Sequence, residues 1–154
     1  VWFKWTEYRC VNGSGIFTKG TDNVDYKVNW DLLLDQNNKI RVQIYDTKSD
    51  DVSKVDSSTN PSENTWYHVV VTCGGYGGYL KMYINGVQEG GSVVVNANDY
   101  WKDTPTFFIG TRNPSDSTYN FNGYIDELVI WNTELSSTEV SALYNSGTGA
   151  FYIP

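Results

Sequence analysis

Only one stretch of this 154-residue chain carries a helical pattern, and that constrains how everything else is built. Ser136 stands three residues before Glu139, the spacing of a capping box, and Leu135 is placed to staple onto Val140. Val140, Leu143 and Tyr144 share one helical face and Gly147 stops the run, which predicts a short helix from about Ser137 to Asn145. The rest must then be strands. Just before the helix, Tyr124 to Trp131 is dense in aliphatic and aromatic residues and predicts a largely buried strand.

Period-two alternation recurs through the chain. Tyr26, Val28, Trp30 and Leu32 alternate with Lys27, Asn29, Asp31 and Leu33, so one face is buried and the other mostly polar. Ile40, Val42 and Ile44 repeat the pattern after an Asn37-Asn38 turn, and Leu80, Met82 and Ile84 repeat it before Asn85-Gly86, a hairpin signal into Val87 to Glu89. Val1 to Trp5, Ile16 to Lys19, Trp66 to Thr72, Val93 to Val95 and Phe107 to Gly110 complete the expected strands. Asp46 to Thr65 reads as a long polar loop anchored only by Val52 and Val55. Half-buried antiparallel strands must cover their apolar faces with a second sheet, so the expected fold is an all-β antiparallel sandwich in one domain, with one short C-terminal helix.

Charge narrows the partners. Eighteen acidic against eleven basic residues give a net charge of -7, with no basic cluster, which argues against nucleic acid or an anionic membrane surface. No apolar run approaches a membrane span, and the chain is expected to be soluble. It opens Val-Trp-Phe-Lys-Trp as though entering in mid-strand, so residues upstream are expected. Cys10 and Cys73 permit one disulfide without requiring it.

Trp66 to Thr72, Leu80 to Gly86, Ile109-Gly110, Gly123 to Asn132 and Leu135-Ser136 occur in the order that resembles the concanavalin A-like lectin/glucanase superfamily, and more narrowly its laminin-G-like and pentraxin-like branch. The resemblance runs from Val1 to about Gly147. It implies a jelly roll of two curved sheets, with ligands at loop rims or on the concave sheet. It also implies that one or two N-terminal strands are missing, leaving an edge beside Tyr124 to Trp131 for another segment or a neighbouring chain to complete.

Catalysis finds no support in the residue pattern. A retaining glycosidase needs two carboxyl groups about 5 Å apart, which on one strand face requires alternate positions. Asp126 and Glu127 are consecutive instead. His68, the only histidine, lies in a strand dense in valine and reads as packed rather than catalytic. The cysteines lack zinc-site spacing, and Gly74 to Gly78 is a loop tip rather than a phosphate loop, since no Lys-Ser/Thr follows.

Recognition is the leading expectation, with a glycan or a protein surface as partner. Tyr76, Tyr100, Trp101 and Tyr119 fall in expected loops, where aromatic faces can stack on sugars. The pentraxin resemblance further implies calcium: Asp22-Asn23 resembles the pair that supplies metal oxygens in that branch, with Asn113, Asp116 and Asn120 as candidates in a second loop. The alternative expectation for Asp22 and Asp116 is that they are plain turn formers through Asx turns. The rival is a structural element of a virion or surface layer. Either role implies an extracellular, cell-surface or virion-surface setting.

Overall fold

The computed structural model describes residues 1–7, 13–21, 27–45, 52–96 and 106–149. Among the described residues, ten strands form two antiparallel five-stranded sheets. The first sheet runs β10-β1-β6-β7-β8, from Gly123–Asp126, Trp2–Trp5, Tyr67–Cys73, Tyr79–Ile84 and Val87–Val94. The second runs β5-β4-β3-β2-β9, from Val52–Asp56, Ile40–Tyr45, Lys27–Leu34, Ser14–Thr21 and Phe107–Ile109. One α-helix among the described residues, α1, spans Ser137–Tyr144. The expected sandwich is therefore the observed one. No helix among the described residues is long and apolar enough to cross a membrane.

Alternation dictates the core. Phe3 and Trp5 from β1, Val69 from β6 and Leu80 and Met82 from β7 meet Phe17, Leu32, Leu34, Ile40, Val42 and Val55 of the opposite sheet, all buried. The two layers also touch at one side, where Gly90 of β8 lies against β5. There a Cβ would fall 2.2 Å from the Asp56 carbonyl, so only glycine fits that close approach.

The helix forms for the reason its sequence gives. Ser136 Oγ accepts from the Glu139 amide while Glu139 Oε2 accepts from the Ser136 amide, closing the box. Val140 is fully buried with Val70 and Tyr83, and Leu135 packs beside them. Asn145, rather than Gly147, ends the helix by taking a left-handed conformation at φ 46°.

Four expectations need correcting. The polar segment Asp46 to Thr65 contains an edge strand, β5, whose Ser53 and Val55 point inward while Val52 is 41% exposed. Two valines were too weak a signal, because an edge strand beside β4 buries one face over very few residues. Val93 and Val94 continue β8 past a register shift between Lys81 and Met82 instead of forming a separate strand. Asp31 is not a solvated outer-face residue but fully buried, for reasons given below.

The fourth correction concerns Tyr124 to Trp131. The strand stops at Asp126, Glu127 adopts φ 49°, and Val129 and Ile130 are 43% and 59% exposed. β10 is hydrogen-bonded to β1 and ends where β1 does, with Trp2 opposite Asp126. Strand-forming residues hold a ladder only opposite another strand, and none of the described strands pairs with Leu128 to Trp131. Between that segment, β6 and the second sheet lies a cavity of about 320 Å³, lined by Val69, Val71 and Cys73, by Phe17, Leu32 and Ile44, and by Leu128 to Leu135. Cys73 carries a free thiol whose pKa burial raises, and Cys10 lies outside the described residues.

Candidate functional site

Five of the expected site residues, Tyr76, Asn113, Asp116, Tyr119 and Asn120, fall among the described residues. Tyr100, Trp101, Asp22 and Asn23 lie outside the described residues. Tyr76 is 65% exposed at the β6–β7 tip, where the Gly77 amide bonds the Val95 carbonyl. Tyr119 belongs instead to a short 3-10 turn, Ser117–Tyr119, with the Arg112 guanidinium 5.7 Å from its ring centroid. Its ring is thus engaged within the protein.

The described half of the expected calcium site is committed to its own loop. Asn113 Oδ1 accepts from the Ser115 amide at 2.9 Å, and Asp116 Oδ1 accepts from the Thr118 amide at 2.9 Å and the Thr118 hydroxyl at 2.7 Å. These bonds hold the Asp116 carboxyl below its usual pKa, the backbone amide contributing most. They are the Asx turns such residues form unaided. Asn120 is exposed and its amide bonds the Ser117 carbonyl. Among the described residues no three His, Cys, Asp or Glu side chains converge as a metal cradle.

Behind that loop lies a buried polar row. Cross-strand register sets Thr18, Asp31 and Gln43 side by side on the outer face of the second sheet. The loop that follows β9 folds down onto them, and a Cβ on Gly15 would stand 2.5 Å from the Arg112 amide nitrogen, so the backbones nearly touch. Arg112 Nε donates to Asp31 Oδ2 at 2.8 Å and Gln43 Nε2 donates to the same oxygen at 3.3 Å. A fully buried carboxylate requires such a counter-charge. The row is a structural clamp between loop and sheet.

The other outer face is different. On the first sheet Trp2 and His68 are neighbours in register, and Tyr144 of α1 covers them, its ring 5.9 Å from Trp2 and 6.1 Å from His68. His68 is 5% exposed and its pKa is lowered to about 4, chiefly by burial and then by the amino-terminal charge, so it is the packed histidine its strand suggests. Asp126 Oδ1 accepts from the Glu127 amide at 2.8 Å, which likewise agrees with a structural role.

Two residues further along the same face, the helix no longer covers the sheet. Lys4 stands opposite Tyr124 in the β1–β10 pairing, and the β1–β6 register carries Trp66 to its other side. Tyr124 is 58% exposed and Trp66 40%, with ring centroids 6.4 Å apart and planes inclined by 51°. The Lys4 ammonium lies 4.7 Å from the Tyr124 centroid and 5.3 Å from that of Trp66. Three strand lines thus present an aromatic pair around one cation, on a surface α1 leaves open.

Sequence reading missed these three residues because they are spread from position 4 to position 124. Tyr124 is read from sequence as part of a buried strand. The one available signal is Lys4 itself: between Phe3 and Trp5, alternation must send it outward.

The profile of the concanavalin A-like lectin/glucanases superfamily matches residues 1–141. The chain belongs to that superfamily. Among solved structures, this lectin/glucanase-like domain is similar to the CBM40 of the Ruminococcus gnavus IT-sialidase, with a TM-score of 0.74, 15% identity, and 94% of this chain and 79% of the other covered. That module bound to alpha2,3 sialyllactose superposes equally well, at TM-score 0.74 and 15% identity over 93% and 79% of the two chains. A native heptameric SAP-like pentraxin from Limulus polyphemus gives TM-score 0.64 and 16% identity over 93% and 66%. At such identities the likeness concerns the fold. No curated protein sequence matches the chain significantly.

Proposed function

We propose that this domain is a non-catalytic carbohydrate-recognition module whose sugar stacks on Trp66 and Tyr124. The observation that carries the proposal is the exposure of these two rings on an uncovered sheet face, inclined toward one another around Lys4. Pyranose rings present apolar C–H faces and a polar rim, which suits a half-exposed indole or phenol. The likeness in fold to a carbohydrate-binding module and a pentraxin supports the reading. So does the isolation of Asp126 and Glu127 from any second carboxylate at alternate positions. The setting proposed with it is the cell or virion surface, where glycans are displayed.

A glycan array tests the reading. Saturable binding that falls at least tenfold in Trp66→Ala and Tyr124→Ala, with unchanged melting temperatures, is the expected result. Binding unaltered by both substitutions removes it. Running the array with calcium and with chelator examines the metal-assisted form, in which Asp22 and Asn23 would complete coordination with the second loop; equal binding in both removes calcium from the proposal. Stable oligomers that bind no glycan favour instead the structural-domain reading, for which the uncovered Val129 and Ile130 are the supporting observation.

A further inference from the structure

We infer that the Lys4–Trp66–Tyr124 row selects an acidic sugar, one whose ring carries a carboxylate, over its neutral counterpart. This rests on the glycan-binding reading and specifies its ligand class. The inference follows from how cations are used across the molecule. Arg41 is paired with Asp35 and Asp56, Arg112 with Asp31, and Lys81 with Glu134. Neither Lys4 nor the exposed Lys54 forms an ion pair among the described residues, and Lys39 donates only to the Ser58 carbonyl; of these, Lys4 is the one whose ammonium stands against two aromatic faces.

Three N–H donors are therefore held at a fixed point by π contacts that leave their hydrogen-bonding capacity unspent. The flanking rings exclude water on two sides, which strengthens a charge-assisted bond to an arriving anion. The net charge of -7 opposes an anion at long range, so the selection rests on the short-range bond to Lys4 between its two rings. Geometry favours a carboxylate bonded directly to a ring carbon. Ammonium and ring centroids all lie within 6.4 Å of one another, so one sugar spans both contacts. A sulfate ester hangs further from its ring and does not reach both as readily.

Matched pairs of immobilised glycans test this, each pair differing only in the acidic group: α2,3-sialyllactose against lactose, glucuronide-terminated against glucoside-terminated chains, and a sulfated lactose as the alternative anion. At least tenfold tighter binding to a carboxylate-bearing member is expected, shrinking as salt rises. Lys4→Met should abolish the preference, and Lys4→Arg should retain it. Neutral and acidic members bound alike, or acidic binding unchanged in Lys4→Met, overturns the inference while sparing the glycan reading. Preference for sulfate alone also overturns it. Loss of the glycan reading shows separately, as indifference of every bound glycan to Trp66→Ala and Tyr124→Ala.

Discussion

The His68 imidazole lies against the Trp2 indole, ring centroids 4.9 Å apart and planes inclined by 37°, with Tyr144 closing over both. A charged imidazolium is poorly tolerated there, because burial removes its hydration and no described group bonds its Nδ1. Its pKa falls from 6.5 to about 4. Between those values the unfolded chain takes up a proton that the folded chain refuses. Stability is therefore fully present above pH 6.5 and declines as pH falls toward 4. The expected loss is on the order of 2–3 kcal/mol. Denaturant titrations at pH 7.5, 6, 5 and 4.5 check it: His68→Phe, which keeps a ring in the stack, should flatten most of that slope.

The Arg112–Asp31 pair should prove more costly to break than any surface bridge. Arg112→Ala strips a fully buried carboxylate of its counter-charge and is expected to destabilise by about 3 kcal/mol. Removing the charge as well, in Asp31→Asn with Arg112→Met, should recover part of that loss. Lys81→Ala, which breaks an exposed pair with Glu134, should cost under about 1 kcal/mol. A double variant no more stable than Arg112→Ala would refute this account of the clamp.

The edge of β6 yields a residue-by-residue expectation. Val69 exchanges hydrogen bonds with Val1, so alternate residues Val71 and Cys73 direct their amides the same way, into the cavity, where no described strand pairs with them. Val70 and Thr72 direct theirs to Tyr83 and Lys81 of β7. Amide hydrogen exchange should be slow at Val70 and Thr72 and much faster at Val71 and Cys73. Equal protection at all four would mean that something pairs with that edge.

Local chemistry along the sequence determined the helix with its capping box and staple, the inward alternation of the core strands, the Asn85-Gly86 hairpin and hence the sandwich itself. Each is a relation between residues a few positions apart, which periodicity and turn chemistry report directly. Tertiary structure decided what depends on distant neighbours. Leu128 to Trp131 are as strand-like as any residues in the chain, yet they form no ladder with any described strand, because a strand exists only where a partner offers its backbone. Asp31 is polar and alternates outward, yet it is buried, because a loop eighty residues later folds onto it. Lys4, Trp66 and Tyr124 are unremarkable singly; only the order β10-β1-β6 sets them in one row, and only the reach of α1 determines that they stay uncovered.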